Sequence, residues 1–130
     1  MTPDTNGIIC KQSNHSVEDT VEKLKSILQA KGVTLFAIID HSGEAQKAGL
    51  TMRPTKLVIF GNPKGGTPLM VVAPSAAIDL PLKILIYEAP DSTVQVCYST
   101  PSYLQQRHNL PQDLLQNIAV VETLAAKVAE

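Results

Sequence analysis

LKILIYEAPDSTVQVCYS, residues 82–99, decides the fold. Two apolar-rich runs, Leu82–Glu88 and Thr93–Ser99, straddle APDS, a proline-containing turn, which is the pattern of an antiparallel hairpin. In the second run Val94, Val96 and Tyr98 alternate with Thr93, Gln95, Cys97 and Ser99. One face of the hairpin is therefore expected to be buried and the other wetter.

Working outward, KLVIF (Lys56–Phe60) and TLFAIID (Thr34–Asp40) read as buried strands, and Gly7–Ser13 as a short one. Between Gly7–Ser13 and Thr34–Asp40, Val17, Val21, Leu24 and Leu28 recur at helical spacing. Ser16 stands as N-cap with Asp19 placed to answer it, and Gly32 supplies a left-handed stop. Ser42–Ala48 reads as a short helix closed by Gly49, and a helical segment follows Phe60 through about Ala73. A Pro74–Pro81 connection leads into the hairpin. Pro111 starts the last helix, whose stripe is Leu114, Ile118, Val121, Ala125 and Val128. Every stripe is satisfied by an α+β fold in one domain, 1–130. It is a two-layer α/β sandwich with one mixed, mainly antiparallel five-stranded sheet and helices mainly on one face.

Composition narrows the function. Of 130 residues 44% are hydrophobic, only 4% aromatic with no Trp, and the net charge is −1 with scattered basic residues. That argues against nucleic-acid and membrane-surface partners, which call for a basic patch or stacking platforms. The longest charge-free stretch, Gly65–Ile78, contains Pro68 and Pro74. It falls short of the roughly 20 apolar residues needed to span a bilayer. MTPDTNGIIC at the N-terminus has neither a basic region nor an apolar one, so a cytoplasmic chain without a leader is expected. In that setting Cys10 and Cys97 are expected as buried thiols rather than a disulfide.

FGNPKGGTPLM (60–70), DLPLKILIYE (79–88) and VQVCYSTPSYLQQRH (94–108) resemble, in order and spacing, the bacterial and archaeal family known as domain of unknown function 302. The resemblance runs over nearly the whole chain from about Gly7. It implies a compact two-layer α/β domain that tends to form dimers, and it brings no established activity, cofactor or catalytic residue.

The glycine-rich turn is the first candidate site. A P-loop places lysine after the last glycine with a hydroxyl beside it; here Lys64 precedes Gly65 and Gly66, and Thr67 stands alone. No dinucleotide fingerprint is present either. Asn62 before Pro63, or Thr67 before Pro68, can cap a helix whose first N–H groups, with Lys64 nearby, would attract an anion. The conformational alternative is that the glycines only let the chain leave a strand and turn. A second candidate is Arg107 and His108, on a short helix that Thr100 caps and Pro101 begins, with Tyr103 one turn from Arg107. Arginine grips anions and histidine moves protons near neutral pH; an Arg–Tyr stack with a helix-terminal histidine is the alternative. Asp40 and His41 end a strand, and Asp79 and Lys83 are placed to pair with each other or with Arg107. The cysteines and histidines have no metal-ligand spacing.

The leading expectation is a module that binds a small anionic or mixed-polarity ligand as a homodimer, with no cofactor or metal. Its site would be Asn62, Lys64, Gly65, Gly66, Thr67, Arg107 and His108. An enzyme using His41 or His108 as acid/base with Arg107 as substrate anchor is one alternative. An interaction module without a small-molecule site is the other.

Overall fold

Ser16 caps the first helix, α1 (Val17–Ala30), its side chain accepting from the Asp19 N–H at 3.0 Å. Val17, Val21, Leu24 and Leu28 are buried, so the helical stripe faces inward as its spacing requires. Gly32, at φ +68°, turns the chain out of the helix. The computed structural model describes residues 6–130. The first five residues, on which part of the leader reading rests, lie outside them.

The strands are β1 (Ile8–Ser13), β2 (Thr34–Asp40), β3 (Thr55–Gly61), β4 (Leu82–Glu88) and β5 (Val94–Ser99). They form one sheet in the order β1-β5-β4-β3-β2, and all four pairings are antiparallel. The expected hairpin is β4–β5. Val58, Phe60, Leu82, Ile84, Ile86, Val94, Val96 and Tyr98 point to one face and are buried there. They pack beneath α1 and the last helix, α5 (Val120–Ala129). The expected α+β sandwich, one five-stranded sheet with helices mainly on one side, is the observed architecture, except that the sheet is wholly antiparallel rather than mixed.

Three local expectations change. TLFAIID is not a buried strand: β2 is an edge, paired only with β3, and its residues are exposed or half-buried. Phe36 and Ile39 are 47% and 38% exposed. The last helix does not run unbroken from Pro111. A 3-10 segment, Gln112–Asn117, comes first, and α5 starts only at Val120. The break is tertiary in origin, because the Asn117 side chain donates to the Gly65 carbonyl at 3.1 Å and fixes that segment against the glycine-rich turn. Lastly, Cys10 and Cys97 are not free thiols. They stand opposite one another in the β1–β5 register, on the face turned away from the helices, and are joined as a disulfide.

Candidate functional site

The glycine-rich turn forms the N-terminus of α3 (Pro63–Val72). Of the two possible starts, Asn62 is the one used: its Oδ1 accepts from the Lys64 N–H at 3.0 Å. The Gly65 and Gly66 N–H groups both donate to the Asn62 carbonyl, at 2.8 and 3.0 Å, and Pro63 has no N–H. The donors that an anion cradle needs are thus already engaged inside the turn. Lys64 is exposed and does not line the cavity described next.

Beneath this turn lies a mostly apolar cavity of about 150 Å³. Gly66, Thr67 and Met70 line it from α3, Leu80 and Pro81 from the connection before β4, and Asn117 and Ile118 from the chain before α5. A bulge in β2 between Leu35 and Ala37 re-aims Phe36, which closes another side. Small residues make the fit. A methyl group on Gly65 would sit 3.3 Å from the Asn117 carbonyl oxygen, so only glycine lets the two segments meet undisturbed. Lys83 holds the remaining wall, its ammonium donating to the Asp79 and Pro81 carbonyls, both at 2.9 Å. Burial depresses the Lys83 pKa, with the nearby Asp79 charge acting the other way.

The second candidate region is polar. Helix α4 (Pro101–His108) begins as expected, Thr100 Oγ1 accepting from the Tyr103 N–H at 3.2 Å. Tyr103 packs over Gly7, where a Cβ would lie 2.3 Å from the ring. Arg107 instead reaches Asp79, with Nη1 at 3.3 Å from both carboxylate oxygens. His108 Nε2 lies 2.5 Å from Asp79 Oδ2, and His108 Nδ1 lies 2.8 Å from the Ser75 hydroxyl. Of the pairings expected of Asp79, the one with Arg107 is made and the one with Lys83 is not: the Lys83 ammonium takes backbone carbonyls, and His108, which was not expected there, joins Arg107 on the carboxylate. Ser75 carried no signal: in a proline-flanked connection it reads only as a turn residue.

The candidates converge in part. Asp79, Arg107 and His108 meet; Gly66 and Thr67 belong to the cavity, and Leu80 and Ile118 stand between the two regions, bordering both. His41 belongs to neither. It opens α2 (His41–Lys47) at the far end of β2, whose last residue, Asp40, pairs with Lys56 while Gly61 borders the cavity. Five residues of β3 separate those points by roughly 17 Å. Asp40 does not orient His41 as a base. Its carboxylate accepts from Ser42 Oγ at 2.7 Å and the Gly43 N–H at 2.9 Å, as the cap of α2, and those bonds lower its pKa. Among the described residues no group of three or more His, Cys, Asp or Glu is placed to hold a metal, and no helix is long and apolar enough to cross a membrane.

A one-sheet α+β domain with helices on one face and an apolar cavity at the mouth of a strand-to-helix turn is the class these features define. The chain belongs to the family described as domain of unknown function DUF302, whose model matches residues 9–130. A crystal structure of an uncharacterised conserved DUF302 protein from Bacillus stearothermophilus superposes with a TM-score of 0.77 at 18% identity, covering 95% of both chains. That likeness is one of fold. Proteins named fluoride-specific ion channel FluC 1 from Brucella suis and Brucella abortus are each 38% identical over 104 residues, 80% of this chain. The match takes up 41% and 38% of those proteins, so the chain spans about two fifths of the length of the curated relatives it matches.

Proposed function

We propose that this chain is a binding module for a small, largely apolar ligand carrying one polar group, and that it works as a homodimer. The cavity between α3, the Leu80–Pro81 wall and Ile118 carries the ligand reading. A mostly apolar cavity of about 150 Å³ has room for a benzene-sized guest. Asn62 Oδ1 and Asn117 Nδ2 are engaged within the protein, which leaves the Thr67 hydroxyl and Asn117 Oδ1 to meet the polar group. The same bonding favours the mixed-polarity half of the expectation over the anionic half, since the α3 donors are occupied.

Benzyl alcohol is a suitable probe. Its binding, followed by ligand-observed NMR, is expected to saturate in the wild type and to be lost in Gly66→Leu, whose side chain would occupy the cavity. Gly66 is helical, so a non-glycine residue there removes a helix penalty of about 0.5–1 kcal/mol. Lost binding with an unchanged or raised Tm would support the reading; undiminished binding would contradict it.

The dimer reading rests on uncovered apolar surface. On the face away from the helices Leu57, Ile59, Leu85 and Tyr87 are only half-buried. The neighbouring edge exposes Ile39, and the loop beyond α2 exposes Leu50 and Met52, at 66% and 45%. Such a patch marks an interaction surface, and β1 and β2 are both open edges. Light scattering at micromolar concentration is expected to give twice the 14.0 kDa chain mass; a monomer mass would remove the proposal.

The cytoplasmic placement competes with the paired cysteines, because thiols stay reduced in most cytosols. Alkylating intact cells before lysis separates the two, a disulfide-protected pair favouring an oxidising compartment. As for the Brucella channels, the absence of a membrane-crossing helix among the described residues favours an attached domain over a pore as the role of the matching segment.

A further inference from the structure

We propose that Ser75 is a nucleophile, activated by His108 and Asp79 toward small activated acyl or phosphonyl groups, at a site separate from the cavity and independent of the ligand reading. The bonding assigns the tautomer of the neutral ring. A carboxylate can only accept, so neutral His108 carries its hydrogen on Nε2, facing Asp79 Oδ2. The Nδ1 lone pair is then left to accept from the Ser75 hydroxyl at 2.8 Å. Hydroxyl, imidazole and carboxylate therefore stand in the order of nucleophile, base and orienting group, with the ring turned so that Nδ1 rather than Nε2 meets the hydroxyl.

Burial separates this chain of bonds from a surface coincidence. The His108 side chain is 4% exposed and tethered at both ring nitrogens, so its direction is fixed. Arg107 spans both oxygens of Asp79, and Lys83 fixes the Asp79 carbonyl. A fastener between α4 and the Pro74–Ile78 3-10 turn would need these bonds too, but it would not need an exposed hydroxyl at the outer end. Ser75 is exposed. On its inner side, toward Leu104 and Leu110, the imidazole leaves no room for a guest, so an acyl group would be met only from the exposed Ser75 side, which favours small acyl groups on good leaving groups.

With an ester, Ser75 Oγ forms a bond to the carbonyl carbon while His108 Nδ1 takes the hydroxyl proton. The C–O bond to the leaving group breaks, and that group departs with the proton. Water, deprotonated by the same nitrogen, then attacks the acyl-Ser75 ester, releasing the carboxylic acid and returning the proton to Ser75. Asp79 acts as a positioning residue.

A fluorophosphonate probe tests the first half: Oγ–P forms, P–F breaks and fluoride leaves. Intact mass and peptide mapping of the wild-type protein are expected to show one adduct, on Ser75. Ser75→Ala is expected to abolish it, and His108→Gln to slow it by about 100-fold, the scale of a lost general base. Asp79→Asn is expected to slow labelling of Ser75 and Asp79→Glu to restore much of it, because a carboxylate orients the ring. The exposed Ser75→Ala variant leaves folding intact, and wild-type labelling alone is decisive. No adduct, an adduct on another residue, or labelling of Ser75 at an unchanged rate in His108→Gln would overturn the proposal.

Discussion

Reducing the Cys10–Cys97 disulfide is expected to destabilise the protein by about 4–5 kcal/mol, the loop-closure value for a span of 87 residues. The bond ties edge strand β1 to β5 across nearly the whole chain, so its loss frees a long loop in the unfolded ensemble. β1 retains its ladder to β5 and its contact with α5, so the native state changes little and the effect falls mainly on the unfolded one. Calorimetry with and without dithiothreitol, set beside a Cys10→Ala/Cys97→Ala double variant, measures it. Both should lower Tm by a similar amount. A Tm indifferent to reductant would show that the pair contributes nothing to stability.

Phe60→Ala is expected to cost about 3–5 kcal/mol. Phe60 is fully buried near the end of β3, opposite Leu82 and Leu35, one residue before Gly61 borders the cavity. With only 4% aromatic residues, the core has few other large rings to close over the gap. The loss in urea midpoint should come without a large change in slope, since the same surface is exposed on unfolding. A cost below about 1 kcal/mol would mean that the helices above the sheet collapse onto the hole, and that Phe60 is not the fixed wedge its burial indicates.

Local rules made the scaffold legible. Ser16, the 17-21-24-28 stripe and Gly32 specify α1 without help from the rest of the chain, and the alternation through Val94, Val96 and Tyr98 specifies which face of β5 is buried. Misreadings arose where distant segments decide. The apolar run Thr34–Asp40 has the composition of a central strand, yet pairing leaves it at an edge, with Ile38 against the core and most of its other apolar side chains exposed. The Asn117 break depends on Gly65, 52 residues away in sequence. Cys10 and Cys97 both fall on strands by local pattern, but the β1–β5 register that sets them face to face lies beyond it.

The candidate site divides the same way. The glycine turn, Arg107, His108 and Asp79 were visible as residue types suited to chemistry. Their grouping was not, because a sequence cannot show that Asp79 meets His108 while Gly66 faces a different space. Ser75 stands 33 residues from its partner His108, in a segment without periodicity. Hydrogen-bond accounting weighs against an anion at the turn, for the Asn62 carbonyl and side chain take up N–H groups that it would use.

That a ligand enters beneath α3 is the central claim, and ¹H–¹⁵N correlation spectra of the wild-type protein titrated with benzyl alcohol test it most directly. Shifts concentrated at Gly61, Gly66, Thr67, Met70, Leu80 and Asn117 are the predicted result. Shifts confined to the outer sheet face, or no saturable shift at all, would contradict it.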